Sequence, residues 1–250
     1  MSTGTDSPSI NAARRVASSS QIETRFFVVL SLAILLTVFG GFARSYFLRS
    51  LHQHRSLSPL VHVHGIVFTA WILLFVTQIQ LIRTDRTVLH RRVGIAGAAL
   101  AVSMIVIGFE VAVRAAKRDL TRDGGVTPLS FLAIALGDLA VFAVLAGVGI
   151  GFRRRPAFHK RLMLLATIAL LPPAVGRLPF APTDGAVWFF GITDLFVLAC
   201  LLFDKLVRER IHPAFLYGGI FLIVSQPIRT IGGTSELWLV VAQWLIANAA

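Results

Sequence analysis

The chain has 250 residues, of which 56% are apolar and only 14% charged, so it has too few polar side chains to cover a water-facing surface. Its formal net charge of +12 would suit nucleic acid in a soluble protein. Here, however, the Lys and Arg residues lie in short gaps between apolar runs, as is typical of membrane proteins. We therefore expect a lipid bilayer as the partner and exclude nucleic acid.

The N-terminal residues 1–24 are rich in Ser, Thr and Ala and show no apolar periodicity, which predicts a disordered tail. The first apolar run begins only at Phe26 and is not followed by a clear small-residue cleavage site. We expect this run to be retained as a membrane span and not removed as a signal peptide.

Seven apolar runs follow the tail, each of about the 20 residues that a helix needs to cross roughly 30 Å of hydrocarbon. Runs of this length indicate helices and not strands. The sequence therefore predicts an all-α, polytopic transmembrane helical bundle over residues 25–232. The predicted spans are Phe26–Phe47, Leu60–Ile82, Val93–Val113, Pro128–Phe152, Lys160–Phe180, Val187–Val207 and Ala214–Ile231.

Proline marks both the beginnings and the breaks of these helices. Ser58-Pro59, Thr127-Pro128 and His212-Pro213 have the pattern of an N-cap followed by proline at the first helical position. Pro172-Pro173 and Pro227 lie inside the fifth and seventh spans, where proline removes a backbone hydrogen bond and predicts a kink.

The C-terminal residues 233–250 contain one further apolar segment, Glu236–Ala247, which carries Trp238 and Trp244. At about a dozen residues it is too short for a span, and tryptophan is enriched at membrane interfaces. We expect an interfacial or half-inserted helix.

The orientation follows from the basic residues, which are retained on the cytoplasmic side. Fifteen of the 24 Lys and Arg residues lie on the side of the N-terminus, and nine lie on the other side. This asymmetry predicts a cytoplasmic N-terminus and an external C-terminus.

The seven histidines divide between the two predicted sides. The outer four suggest a transition-metal site or axial haem ligation, although residues two apart on a helix point about 200° apart. The inner three stand at helix starts beside cations, and either set can instead make ordinary interfacial hydrogen bonds. The outer set is His52, His54, His62 and His64, and the inner set is His90, His159 and His212.

Five ionisable residues lie within or at the outer ends of the predicted spans. An Asp at a helix centre costs roughly 2.5–3.5 kcal/mol on insertion scales, so Glu110, Asp138 and Asp194 should face the bundle interior. Arg177 and Arg229 provide opposite charges near the outer ends of their helices. The five predict either a structural ion-pair network or a ligand site, for which a small anionic ligand would suit the two guanidinium groups.

The segments His62-Val-His64-Gly65, Trp71–Gln78, Leu89–Gly94 and His159–Met163, with the later Arg177, resemble those of uncharacterised bacterial multi-pass membrane proteins. This resemblance covers about residues 60–180 and implies a bacterial inner-membrane location without an established activity.

The chain is more weakly similar to haem-binding bundles of the cytochrome b561 and haem A synthase type. That likeness implies haem b, a redox partner and membrane electron transfer, with His90 paired with His159 or His212. A non-enzymatic transporter or ligand-binding bundle is the alternative. Because no classical catalytic motif is present, the sequence does not decide whether the protein is an enzyme.

Overall fold

The computed structural model describes residues 8–52, 56–123, 127–180 and 186–249, and for residues 8–20, 52 and 121–123 it describes the backbone only. Within these ranges every regular element is a helix. The α-helices are α1 (Pro8–Phe42), α2 (Arg49–His52), α3 (Pro59–Arg83), α4 (Thr87–Asp123), α5 (Thr127–Gly151), α6 (Pro156–Ile168), α7 (Pro172–Val175), α8 (Ala186–Arg208), α9 (Pro213–Gly232) and α10 (Glu236–Ala247). A π-helical turn (Ala43–Phe47) follows α1, and a 3₁₀ turn (Phe152–Arg154) follows α5.

Seven helical segments of the described chain are long and apolar enough to cross a membrane, which confirms the predicted number of spans. Six of them contain the predicted runs completely. The fifth begins four residues earlier than predicted and ends at Val175 instead of Phe180. The segments are Gln21–Phe47, Pro59–Arg83, Thr87–Leu120, Thr127–Arg154, Pro156–Val175, Ala186–Arg208 and Pro213–Gly232.

The predicted helix starts agree with the structure. Ser58 is the N-cap of α3, with Pro59 at the first helical position, and α5 begins at Thr127. His212 caps α9, and its Nδ1 accepts a hydrogen bond of 3.1 Å from the backbone N–H of Ala214.

The two proline sites differ. Pro172 and Pro173 lie where the fifth span is broken, since α6 ends at Ile168 and the short α7 begins at Pro172. Pro227, in contrast, lies inside a continuous α9, although it donates no backbone hydrogen bond. A break is therefore confirmed in the fifth span, whereas α9 continues as a helix through Pro227.

The ends of the chain also pack as helices. The first helix begins at Pro8, well before the predicted tail boundary at residue 24, and Glu23 is buried within the bundle. At the other end α10 contacts α4 and α5, and the Trp238 Nε1–H donates to the Leu129 carbonyl at 2.8 Å. The division into residues 1–24, 25–232 and 233–250 stays a prediction.

The fifth span is the centre of the bundle. In the most apolar stretch of this span 67% of the residues are buried inside the bundle, whereas the corresponding share in the other six spans is 17–44%. It packs against α5, α8 and α9, with Leu164, Leu165 and Ile168 fully buried. Large apolar side chains such as Val187 and Leu206 are exposed on the outside, which indicates a lipid-facing surface.

Candidate functional sites

A fully buried guanidinium lies where α6 meets α8 and α1. Arg161 is 0% exposed, and it binds Asp204 through two bonds, Nε to Oδ2 at 3.1 Å and Nη2 to Oδ1 at 2.7 Å. Its Nη2 also donates to Glu23 Oε1 at 2.9 Å, and its Nη1 donates to the Ala157 carbonyl at 3.1 Å. Such a bidentate Arg–carboxylate pair is among the strong interactions available to a buried charge.

The partners of Arg161 are themselves satisfied. Glu23 Oε2 accepts from Lys160 at 2.8 Å and from Arg208 at 3.2 Å. Asp204 Oδ2 also accepts the backbone N–H of His212 at 3.0 Å. We call Glu23, Lys160, Arg161, Asp204 and Arg208 the Arg161 cluster. It ties together α1, α6, α8 and the start of α9.

Sequence patterns alone do not predict this cluster. Glu23 lies in the polar segment that was interpreted as a tail, and Asp204 lies near the end of a span. The orientation prediction uses three further members as basic residues, namely Lys160, Arg161 and Arg208. Two of them, Lys160 and Arg161, also lie in the His159–Met163 segment. One feature of the sequence could have indicated it. Glu23 lies three residues before the apolar run that begins at Phe26, and a carboxylate so close to a membrane span is costly unless it has a partner.

A second charged group lies between α5, α8 and α9. Arg229 forms an ion pair with Asp138, and both side chains are less than 10% exposed. The guanidinium of Arg229 lies 5.1 Å from the centre of the Phe190 ring, and its Nε donates to the Ser225 carbonyl at 3.1 Å. Gly137 leaves the space for this side chain, because a Cβ at that position would collide with it.

Asp194 extends this group to the edge of an open groove. Gln226 Nε2 donates to Asp194 Oδ1 at 2.7 Å, and Asp194 is half-buried. We call Asp138, Asp194, Gln226 and Arg229 the Arg229 cluster. The groove has a volume of about 370 Å³ and runs between α8 and α9, and its lining includes Phe190, Asp194, Gln226 and Pro227.

The other two residues of the predicted ligand site lie elsewhere. Glu110 pairs with Arg114 one turn along α4 at 2.5 Å, with side chains 35% and 48% exposed, so it does not face the bundle interior. Arg177 Nη1 donates to the Pro173 carbonyl at 2.6 Å, and its guanidinium lies over the Phe42 ring. The structure thus joins Asp138, Asp194 and Arg229 but neither Glu110 nor Arg177. A ligand-binding role for these two stays a prediction.

The outer histidines are described only in part. His54 lies outside the described residues, as does the side chain of His52. His62 is exposed, with the Tyr46 hydroxyl donating to its backbone carbonyl at 3.3 Å, whereas the His64 ring stacks on Phe68. In the part of the chain that the structure describes, no group of three or more His, Cys, Asp or Glu side chains could hold a metal ion. The four-histidine site stays a prediction.

Two of the three inner histidines meet. The His90 and His159 rings have centres 6.3 Å apart and planes inclined by 82°. His159 Nδ1 donates to the Gly149 carbonyl at 2.8 Å, because a carbonyl only accepts. Beside them, Gln78 Nε2 donates to the His90 carbonyl at 3.2 Å.

His212 has a different role from the other two. Its ring packs edge-on against Phe158, and its Nδ1 is occupied as the acceptor that caps α9. Burial lowers the pKa of His212, and the nearby Arg161 cation lowers it further. The neutral imidazole that the cap requires is therefore favoured at neutral pH.

The chain matches no protein-family model, no curated protein and no solved structure. These comparisons therefore give no support to the resemblance to bacterial multi-pass proteins or to cytochrome b561. The geometry of the membrane-embedded clusters carries the functional argument.

Proposed function

We propose that this integral membrane protein binds a small cation in the groove between α8 and α9, as a transporter or as a ligand-binding bundle. The observation that carries the proposal is the position of Asp194. This carboxylate lines the groove, and within the described part of the chain its hydrogen bond comes from Gln226. A half-buried carboxylate at the wall of an apolar groove is suited to hold a positive charge.

The charge balance of the Arg229 cluster supports a cation over the anionic ligand that the sequence suggested. The cluster contains two carboxylates, on Asp138 and Asp194, and one guanidinium. Since Arg229 is already paired with Asp138, the negative charge of Asp194 is left over. A carboxylate at membrane depth is expensive, and one that forms no ion pair of its own among the described residues marks a functional site by default.

Thermal unfolding of the purified protein in mild detergent tests this proposal. The panel comprises Na⁺, K⁺, ammonium, methylammonium and tetramethylammonium as chloride salts, with N-methyl-D-glucamine chloride at equal ionic strength as the reference. We expect at least one cation to raise the melting temperature, and we expect Asp194→Asn to abolish the rise. The matched control is Asp119→Asn, the same substitution at an exposed residue paired with Arg118, which should keep it.

A parallel series with N-methyl-D-glucamine acetate and phosphate in place of the chloride tests for the opposite outcome. If acetate or phosphate stabilises the protein and no cation does, the site takes an anion through Arg229. If a cation effect survives in Asp194→Asn, the groove is not the site. If a cation stabilises the wild type and Asp194→Asn abolishes the effect, uptake of that cation into proteoliposomes distinguishes a transporter from a binding protein.

We also propose a bacterial inner-membrane location with the N-terminus in the cytoplasm. The asymmetry of the basic residues supports it. Fusions at the C-terminus test it, because green fluorescent protein fluoresces in the cytoplasm whereas alkaline phosphatase is active outside it. The proposal expects an active phosphatase and a dark fluorescent protein, and the reverse result would overturn the orientation.

Haem-linked electron transfer is a second candidate, favoured by the neighbouring imidazoles of His90 and His159. If haem is present, His90 and His159 would hold its iron through their imidazole nitrogens, and the haem would supply the electron transfer. An absorption spectrum of protein from haem-replete cells tests it. A Soret band supports the candidate, and a colourless preparation eliminates it.

A further inference from the structure

The two imidazoles that meet between α4 and α6 have a third polar neighbour on α3. We propose that His90, His159 and the side-chain oxygen of Gln78 bind one transition-metal ion. This site is separate from the groove beside Asp194, and it differs from the outer histidine group suggested by the sequence.

The spacing of the two rings fits one shared ion. An imidazole nitrogen ligates zinc at about 2.0–2.1 Å, so two imidazoles on one ion have ring centres at most about 6.4 Å apart. The observed separation of 6.3 Å lies within that limit. Because this separation is that of two imidazoles on opposite sides of one ion, it fits the tetragonal geometry of Cu²⁺, whereas tetrahedral Zn²⁺ would bring the ring centres to roughly 5.3 Å.

His159 is held in the form that a ligand requires. Its Nδ1–H donates to the Gly149 carbonyl, which leaves the lone pair of Nε2 free to ligate. Metal-binding histidines commonly use their second nitrogen in this way, and the hydrogen bond fixes both the tautomer and the ring orientation.

Two further atoms at this place are buried and lack a partner among the described residues: His90 Nδ1 and Gln78 Oε1. The bond from Gln78 Nε2 to the His90 carbonyl fixes the orientation of the amide, so Oε1 is the atom left over. Buried polar atoms are nearly always hydrogen-bonded, and an unpaired one needs a reason. An ion would satisfy both acceptor positions at once.

The donor set indicates the class of metal. Two of the three donors are imidazole nitrogens, which suit copper, zinc and nickel, whereas magnesium and calcium prefer sites made of oxygen ligands. Among divalent ions, Cu²⁺ should bind most tightly. An amide oxygen directed at the ion has no counterpart in bis-histidine haem, where the porphyrin fills the equatorial positions. The unpartnered oxygen of Gln78 therefore favours a bare ion over haem.

The experiment uses the full chain, purified with an affinity tag that contains no histidine and stripped with EDTA. It is incubated with Cu²⁺ or Zn²⁺ and desalted, and the metal is then measured by mass spectrometry. We expect one ion per chain and electron paramagnetic resonance of the Cu²⁺ form showing two nitrogen ligands. Mg²⁺ and Ca²⁺ should not displace the ion.

Single substitutions locate the ion. His90→Gln and His159→Gln should each lower the affinity by more than tenfold, and Gln78→Leu should lower it by about tenfold. The matched control is Gln80→Leu, because Gln80 lies two residues further along α3 and its Oε1 already accepts a hydrogen bond from Arg83 at 3.2 Å. This control should keep full binding.

Several outcomes would overturn the proposal. They are no retained metal, unchanged binding in both His90→Gln and His159→Gln, loss of binding in Gln80→Leu, and a Soret band from the same preparation. Where a variant fails to fold, the wild-type protein still decides. Bound metal should protect His90 and His159 from diethylpyrocarbonate, as mapped by peptide mass spectrometry, and equal labelling with and without metal would contradict the site.

Discussion

The two charge clusters are built around the same kind of contact but differ in how completely it is satisfied. In the Arg161 cluster one buried guanidinium is shared by two carboxylates, Glu23 and Asp204, and each of these has further donors. In the Arg229 cluster the guanidinium pairs with Asp138, while Asp194 lies at the wall of a groove with one hydrogen bond from Gln226. The first arrangement has the character of a structural joint, and the second leaves a charge available to a ligand.

The difference shows why burial alone is a poor guide to function. Arg161 and Asp204 are the more deeply buried pair, at 0% exposure each, yet their hydrogen-bonding groups are occupied by protein atoms. Breaking a buried pair is expensive because an uncompensated charge remains. Asp194 is less buried, and its carboxylate has fewer hydrogen-bond and ion-pair partners among the described residues than that of Asp204. This makes Asp194 the better candidate for binding.

The largest effect is expected from Arg161→Met, which removes the guanidinium and leaves Glu23 and Asp204 buried without it. The expected loss is about 3–5 kcal/mol in the free energy of unfolding. Fluorescence-detected size-exclusion chromatography and thermal unfolding in detergent measure it. Arg208→Met is the control, since Arg208 is 37% exposed and its loss should cost no more than about 1 kcal/mol. Equal effects for the two variants would contradict a structural joint centred on Arg161.

A direct comparison of the clusters comes from the same substitution in both. Asp204→Asn should lower the free energy of unfolding by about 3 kcal/mol, because Arg161 loses its bidentate partner. Asp194→Asn should change it by no more than about 1 kcal/mol, since that side chain is half-buried and makes one bond. Chemical denaturation of both variants measures the difference. If Asp194→Asn proves the more destabilising, the groove carboxylate is structural.

The sequence predicts the membrane spans better than it predicts the contacts between their side chains. The seven spans are predictable because run length is a local property that hydropathy reads directly. The pairing of Asp138 with Arg229 follows from two opposite charges at similar membrane depth. Glu23 was missed because its partner, Arg161, is 138 residues away, and no local pattern marks such a contact. Gln78 is only the last residue of the Trp71–Gln78 segment in the sequence, since its position beside His90 depends on how α3 and α4 pack.

The smallest effect concerns His212, which borders the Arg161 cluster. Burial and nearby cations lower its pKa in the folded state, so below the unfolded value of about 6.5 the unfolded chain binds more protons. The stability that neutral His212 contributes is complete above that value and is lost as the pH falls. His212→Asn keeps an N-cap that does not titrate. Melting temperatures between pH 7.5 and pH 5.5 should therefore fall more for the wild type than for this variant, and identical slopes would contradict the capping role.

The central position of the fifth span has a consequence for biosynthesis. This span carries Lys160 and Arg161, and it is broken between Ile168 and Pro172. Alone in lipid it would expose a guanidinium at high cost. During synthesis Glu23 of α1 is made before Arg161, whereas Asp204 of α8 is made after it. The first helix can therefore receive the fifth as it leaves the ribosome, and the bidentate pair with Asp204 closes the bundle later. Chain order thus makes Glu23 available to Arg161 before Asp204 has been synthesised.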